Sequence, residues 1–134
     1  MLKENASLEE AQDFFKGDVF AYEATGCRLV EVSEGHAVSE LVLDKTRHFN
    51  AMGGVMGGAI FTLADYALAA ACNYNNKPTV SVSNTIEFIS AAKGSKLIAT
   101  CEADKSGRSL GFYTVEVADD TGRKVAKMTA TCFR

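Results

Sequence analysis

One acidic residue stands alone in the least charged stretch of the chain. Between residues 50 and 76, Asp65 is the only formally charged side chain, and its neighbours Phe61, Leu63 and Leu68 are apolar. Burying an unpaired charge is costly, so such a carboxylate must be specifically solvated or protonated. Two interpretations follow: a structural aspartate that caps a backbone group or a hydroxyl, or a desolvated carboxylate that acts as a nucleophile or general base.

Glycines lead into this apolar segment at positions 53, 54, 57 and 58, so a helix that starts here has an accessible N-terminus. The first N–H groups of a helix have no internal partner, and the helix dipole favours negative charge beside them. They suit the oxyanion that develops when a carbonyl is attacked. The alternative is tight packing of the helix against a sheet. A phosphate loop is excluded, because no Gly-Lys-Ser/Thr follows.

Polar residues around this helix start extend the set of candidates. Asn50 either caps the loop before the glycines or orients a substrate carbonyl or water. His48 is either a loop histidine or a base. Ser81 and Ser83 lie on one face of a predicted strand, where either hydroxyl could hold a water. Basic residues cluster around predicted strand ends, as a solvated rim or a phosphate-binding rim: Lys93, Lys96, Lys105 and Arg108.

The apolar pattern predicts one long helix among strands. Residues 55–75 are rich in Ala and Gly and carry Asp65 near their centre, which favours a helix buried all round in a protein core over a membrane span. Residues 79–89 alternate, with one apolar face made of Val80, Val82, Ile86 and Phe88. Other strands are predicted at 19–25, 27–33, 37–43, 96–104, 109–118 and 124–133, with a loop at 44–54. A capping box at residues 7–10 predicts a short helix over 7–16.

These elements predict a single α+β domain over residues 1–134. An antiparallel sheet of five to six strands must curl around the long central helix to cover it, which is the hotdog arrangement. At 134 residues, with a net charge of -3, the chain is neither disordered nor suited to nucleic acid. The cysteines are widely spaced and no secretory signal is visible, which predicts free, mostly buried thiols in a cytoplasmic protein, with no metal site and no membrane partner.

Residues 50–65 resemble the motif of one family. The run N-x-x-G-x-x-x-G-G-x-x-F-x-L-A-D is similar to that of the PaaI-type branch of hotdog acyl-CoA thioesterases, and the likeness extends to the C-terminus. It implies that Asp65 is the catalytic carboxylate and that the Gly57 N–H polarises the thioester carbonyl. Asn50 would position substrate or water, and Ser81, less directly Ser83, would assist that water. Met56 stands where related sequences usually have His; with Gly58, Lys105 and Arg108 it completes the substrate-binding set.

Geometry adds a constraint on how these residues act. Asp65 and Gly57 are eight residues apart, about 12 Å along one helix. A single carbonyl needs both groups within hydrogen-bond reach. Two antiparallel helices from two subunits satisfy this condition, so we expect a homodimer, or a homotetramer built from dimers, with composite sites.

The resulting prediction is an acyl-CoA thioesterase that releases a carboxylic acid and free CoA. CoA enters as part of the substrate, and no separate cofactor is expected. Two alternatives remain open: a hotdog hydratase or dehydratase that uses His48 as base, and an acyl-CoA-binding module without catalysis.

Overall fold

Three α-helices, one π-helical segment and six strands make up the computed structural model, which describes residues 1–134. Their bounds, in chain order, are α1 (Leu8–Phe15), the π-helical segment (Phe20–Thr25), β1 (Arg28–Ser33), β2 (His36–Val42), α2 (Lys45–His48), α3 (Gly57–Asn73), β3 (Val80–Phe88), β4 (Lys96–Ser106), β5 (Leu110–Asp119) and β6 (Lys124–Phe133). None of the helices is both long and apolar enough to span a membrane.

The six strands form one antiparallel sheet in the order β1-β2-β4-β5-β6-β3. The long helix α3 packs on this sheet, mainly against β2 and β4 and only slightly against β3 and β6. The predicted α+β hotdog fold is therefore confirmed. The short helix α1 begins after Ser7, whose Oγ accepts a hydrogen bond from Glu10 N at 3.1 Å, as its capping box predicts.

Small side chains let α3 lie close to the sheet. Ala64, Ala67, Ala70 and Ala71 are fully buried in a core cluster of 26 residues. Alanine adds little bulk, so the helix backbone approaches the curled sheet without leaving large voids. The four cysteines are free and buried, in agreement with the prediction.

The sheet leaves one stripe of α3 open. Gly58 is exposed, and Phe61, Thr62, Asp65 and Ala69 are only half-buried. These positions lie three or four apart and therefore share one helix face. The prediction of a helix buried all round is wrong for this face in a single chain, because the sheet curls around only part of the helix. We call these five residues the open stripe.

The strand β3 forms one edge of the sheet and is poorly covered. Val80 and Val82, which belong to the predicted apolar face of the strand, are 63% and 61% exposed. The reason is that β3 pairs only with β6, while α3 barely reaches it. A strand of nine residues with an unpaired edge and exposed valines is a ready template for pairing with another chain.

A bulge between Ser81 and Ser83 changes which residues of β3 share a face. Ser81 pairs with the buried Cys132, whereas Ser83 pairs with Thr131, the next residue along β6. Paired residues of neighbouring strands point to the same side of a sheet. Ser81 therefore lies on the inner side and Ser83 on the outer side, and the prediction that they share one face is wrong.

The predicted strand at residues 19–25 is instead the π-helical segment. Gly26 ends it with a left-handed backbone (φ +97°), and the N–H groups of Gly26 and Cys27 both donate to the Ala21 carbonyl. Arg47 and His48 of α2 then bind the carbonyls at its C-terminal end. These contacts override the local apolar pattern, which by itself fits either element.

The predicted loop at residues 44–54 contains the short helix α2. Asp44 caps it, since its Oδ1 accepts hydrogen bonds from Thr46 N at 2.9 Å and from Thr46 Oγ1 at 2.7 Å. The rest of the segment turns at Gly53, whose backbone is left-handed (φ +82°), and leads into α3.

Candidate active site

Asp65 lies on the open stripe of α3 and lines a shallow pocket of about 400 Å³. The pocket walls come from α3 and from the residues that start the π-helical segment, among them Asp18, Phe20 and Phe61. Burial, and after it the negative charge of Asp18, raises the pKa of the Asp65 carboxyl above its usual range. No hydrogen bond contributes to this shift. The geometry therefore favours a reactive carboxylate over a structural cap.

The helix start at Gly57 presents free N–H groups to a second pocket. Met56 is the N-cap residue of α3 and makes no side-chain capping bond. The first N–H groups of a helix have no partner within it. The pocket beside them has a volume of about 500 Å³ and is lined by Asn50, Gly57, Ile60 and Phe88, among others. A β-carbon on Gly57 would lie 3.0 Å from Phe88 Cζ, so only glycine fits here without a shift.

Asn50 organises the loop that leads to this helix start. Its Oδ1 accepts hydrogen bonds from Met52 N at 3.0 Å and from Gly54 N at 3.1 Å. This is the loop-capping role that the sequence allowed. Asn50 also lines the pocket beside the helix start.

Asp65 and Gly57 open onto different pockets of a single chain. Neither residue lines the pocket of the other. The eight-residue spacing corresponds to about 12 Å along α3, as the sequence indicated. One chain therefore does not bring both groups to the same carbonyl carbon.

The two serines of β3 lie at the far end of the sheet from the Gly57 helix start. Ser81 is exposed, and its Oγ accepts a hydrogen bond from Asn84 Nδ2 at 3.1 Å. Gly57 contacts Phe88, seven residues further along β3, which is a distance of about 23 Å in a strand. Ser83 is exposed on the outer side of the sheet. Within one chain, neither serine reaches Gly57.

Two of the four basic candidates, Lys105 and Arg108, lie at the same end of the sheet as Ser81. Lys105 is at the end of β4, and Arg108 follows in the turn to β5. Both are exposed. Arg108 lines a pocket of about 580 Å³ together with Lys77 and Arg134, so three cationic side chains surround one depression. Lys93 and Lys96 lie at the opposite end, where β4 begins.

Met56 and Gly58 line a third pocket, of about 570 Å³, on the other side of the helix start. Phe20, Phe61 and Thr62 border both this pocket and the Asp65 pocket. The methionine side chain is 56% exposed. Met56 is therefore placed to touch a ligand that extends from Asp65 along α3.

His48 has no free ring nitrogen. It is 3% exposed; its Nδ1 accepts a hydrogen bond from Asp44 N at 3.0 Å, and its Nε2 donates to the Thr25 carbonyl at 2.6 Å. A base needs an accessible lone pair near the substrate. The structure thus contradicts the use of His48 as the base of a hydratase. No group of three or more His, Cys, Asp or Glu side chains lies together in a way that could hold a metal ion.

Two residues of the Asp65 pocket, Asp18 and Phe20, escaped the sequence analysis. Residues 19–25 fit a strand, and Asp18 fits a polar residue at the end of a helix. Only the tertiary contacts of the π-helical segment bring these two residues to α3. The weak available signal was an aspartate directly before an apolar run.

Comparisons with known proteins show the family to which this fold belongs. Residues 52–126 match the model of the thioesterase superfamily. The chain is 31% identical to a predicted esterase of Archaeoglobus fulgidus, over 98% of this chain and 86% of that protein. It is 29% identical to the acyl-coenzyme A thioesterase PaaI of Escherichia coli, over 88% of this chain and 84% of that protein.

Solved structures show the same architecture. The PaaI protein of E. coli superposes with a TM-score of 0.82 at 26% identity, covering 96% of both chains. A hypothetical thioesterase of Streptococcus pneumoniae, solved with coenzyme A, superposes with a TM-score of 0.81 at 25% identity, covering 91% of this chain and 94% of that one. The family match spans more than half of the chain, and the relatives match nearly all of it. The chain therefore belongs to the thioesterase superfamily and is a thioester hydrolase of its PaaI-type hotdog branch.

Proposed function

We propose that this protein hydrolyses acyl-CoA thioesters to a carboxylic acid and free CoA, with Asp65 as the reacting carboxylate. The observation that carries the proposal is a half-buried carboxylate with a raised pKa in a largely apolar pocket. A carboxylate whose negative charge is poorly solvated is a stronger base and nucleophile than one in water. The family membership gives the reaction class, thioester hydrolysis. The pneumococcal relative was solved with coenzyme A, which supports CoA as the group to which the acyl chain is attached.

Two routes use Asp65 in this reaction. As a general base, it takes a proton from a water molecule whose oxygen attacks the thioester carbonyl carbon. The tetrahedral intermediate then expels CoA as a thiolate, which recovers the proton from Asp65. As a nucleophile, Asp65 attacks the carbonyl carbon itself and expels the CoA thiolate, and water hydrolyses the resulting anhydride. Mass spectrometry during a single turnover separates these routes, because only the second adds the acyl mass to the protein.

The carbonyl oxygen becomes negatively charged in either route. The free N–H of Gly57 at the start of α3 is suited to stabilise this charge, aided by the helix dipole. We assign Asn50 to positioning the substrate or the water, since it lines the Gly57 pocket. Ser81, on the inner side of β3, would hold the water, with Ser83 in a lesser role.

The site requires two copies of the chain. Asp65 and Gly57 face different pockets, and Ser81 lies about 23 Å from Gly57 along β3. An antiparallel partner reverses this order, so that the Ser81 end of one copy meets the Gly57 end of the other. The exposed edge of β3 is the surface on which we propose that the second copy pairs. The resulting homodimer has two composite sites, and two dimers can form a homotetramer.

The CoA moiety would run between the subunits, with its phosphates on the basic rim. Lys105 and Arg108 are exposed at the end of the sheet that would face the partner's Gly57 pocket. Met56 and Gly58 would contact the acyl side. We propose that one domain carries the whole activity, that the protein works in the cytoplasm without a metal or redox cofactor, and that it binds neither nucleic acid nor membranes.

The direct test is turnover of an acyl-CoA panel by wild-type protein and by Asp65→Asn, with released CoA detected by a thiol reagent. Removing a general base costs about 10²–10⁴-fold in rate. Asp13→Asn is the matched control, because it makes the same chemical change on the exposed face of α1. Near-wild-type turnover by a folded Asp65→Asn protein would refute the mechanism. Binding of acyl-CoA without release of CoA by the wild type would instead identify a binding module.

A further inference from the structure

Large apolar side chains lie exposed beside Asp65. Phe20 is 70% exposed and Val19 is 57% exposed, at the start of the π-helical segment. Met56 is exposed on the same side of α3. A contiguous group of exposed apolar residues on a soluble fold commonly marks a binding site. This group is distinct from the exposed valines of β3, which belong to the proposed subunit contact.

The Asp65 pocket and the Met56 pocket form one channel. Phe20, Phe61 and Thr62 line both, so the two pockets adjoin along α3 and together present one run of lining residues from Asp65 to Met56. Met56 lies nine residues before Asp65, which corresponds to about 13 Å along α3. The channel therefore leads away from the proposed catalytic carboxylate, along the helix, to the methionine.

The outer wall of this channel is held in place. Arg47 Nη2 donates hydrogen bonds to the carbonyls of Glu23 and Ala24 at 3.0 and 2.6 Å, and His48 Nε2 donates to the Thr25 carbonyl. The carbonyl of His48 in turn accepts a hydrogen bond from Met56 N at 2.8 Å. The helix α2 thus ties the π-helical segment to the start of α3. These bonds fix the position of the π-helical segment, and with it Phe20, relative to α3.

Three polar side chains along the channel are engaged in bonds within the chain. Thr62 Oγ1 donates to the Gly58 carbonyl at 2.8 Å, both ring nitrogens of His48 are bonded, and Arg47 Nη2 binds two carbonyls. Asp18, at the Asp65 end, is the one carboxylate besides Asp65. A hydroxylated acyl group would therefore find few partners here, whereas methylene groups would find apolar walls.

We propose that this channel binds the acyl group of the thioester as an extended, unbranched aliphatic chain, with Phe20 as the side chain that selects for chain length. The proposal rests on the function proposed above, because it places the thioester carbonyl at Asp65. A zigzag chain of about ten carbons spans the distance from Asp65 to Met56. An aryl ring fills only the part next to Asp65 and leaves Met56 without contact.

The test is a series of straight-chain acyl-CoA substrates of increasing length, compared with phenylacetyl-CoA. Each buried methylene raises kcat/KM by up to about fourfold, until the chain reaches Met56. Phe20→Ala should lower the ratio of kcat/KM for the longer chains to kcat/KM for acetyl-CoA. Phe14→Ala is the matched control, because Phe14 is also a partly exposed phenylalanine but lies on α1, outside the channel. Met56→Trp should reduce the acyl chain length at which kcat/KM stops rising.

The outcomes separate the two proposals. If the wild-type protein releases no CoA from any substrate, the proposed function fails. If it is active but kcat/KM does not rise with chain length, or phenylacetyl-CoA exceeds every straight chain, the channel proposal is wrong while the function stands. A length profile that Phe20→Ala and Met56→Trp both leave unchanged, in proteins that unfold at the wild-type temperature, also overturns the channel proposal.

Discussion

Replacing Gly57 by alanine tests whether the start of α3 must stay open to a carbonyl. The new methyl group would lie 3.0 Å from Phe88 Cζ and 3.2 Å from Phe88 Cε1. Carbon atoms prefer about 3.5–4.0 Å, so the ring must recede by a few tenths of an ångström. Phe88 is 54% exposed on an edge strand and can move. We expect a cost of about 1 kcal/mol or less, largely offset by the better helix propensity of alanine.

The effect on catalysis should be larger than the effect on stability. A helical β-carbon tilts toward the helix N-terminus, so the methyl group stands beside the N–H that would receive the oxyanion. Losing an oxyanion donor altogether costs about 10²–10³ in rate. Alanine keeps the N–H but crowds the approach to it, so kcat should fall by about tenfold or more. Thermal unfolding should stay within about 4 °C of the wild type.

Steady-state release of CoA and thermal unfolding, measured on the same preparations, check this prediction. Phe88→Leu and the double variant complete a cycle that separates crowding of Phe88 from blocking of the amide. If Phe88→Leu restores the rate of Gly57→Ala, the loss came from the displaced ring and the reasoning fails. Wild-type kcat in a folded Gly57→Ala protein would refute it as well.

Three further predictions concern the surroundings of the site and the stability of the sheet. Removing the charge of Asp18 lowers the raised pKa of Asp65, so Asp18→Asn should move the acid limb of the pH profile of kcat/KM to lower pH. Asp13→Asn changes an aspartate at the exposed surface and should leave the profile in place. Arg47→Met removes two hydrogen bonds to the π-helical segment and should lower the free energy of unfolding by about 1–2 kcal/mol. The same variant should raise KM more than it lowers kcat. An unchanged KM would mean that the segment does not touch the substrate. The hydroxyl of Thr121 and backbone N–H groups hold the pKa of Asp119 well below its usual range, so its carboxylate stabilises the fold above the ordinary aspartate value of about 4 and loses this effect as the pH falls further. Asp119→Asn should thus unfold at a lower temperature at pH 7, and a difference from the wild type that persists undiminished in acid would contradict this explanation.

The long helix and most of the sheet could be predicted because their signals are local. The Ala-rich run around Asp65 has a helical length and few charges, and α3 begins at Gly57 as the glycines indicated. The last strand, Lys124–Phe133, has the predicted bounds. In these segments, period and turn residues determine the element, and tertiary contacts reinforce the same choice.

The prediction failed where contacts from distant residues decide the structure. The π-helical segment depends on Arg47 and His48, which lie more than twenty residues away. The bulge at Ser81 changes which side each serine faces, and no local signal marks it. The exposure of Val80 follows from the position of β3 at the sheet edge, which only the strand order reveals.

The candidate site shows the same division. Asp65 could be chosen as a candidate because the absence of other charges around it is visible in the sequence. Its pocket could not, since Asp18 and Phe20 reach it from a segment that resembles a strand. His48 was a candidate base by its residue type, but its burial and its two hydrogen bonds exclude it from that role.

Subunit complementation tests the central claim, a composite site of Asp65 and Gly57, most directly. Gly57→Pro removes the N–H at the first position of α3, where proline is well tolerated, and Met56 already has the extended backbone that precedes a proline (φ -67°, ψ 137°). Asp65→Asn and Gly57→Pro proteins should each be nearly inactive alone. After random exchange of subunits, half of the dimers carry one of each kind, and each mixed dimer has one intact site. The mixture should therefore recover about a quarter of the wild-type activity. If mixed dimers form, as mass spectrometry can verify, and no activity returns, then Asp65 and Gly57 do not act together across the subunits.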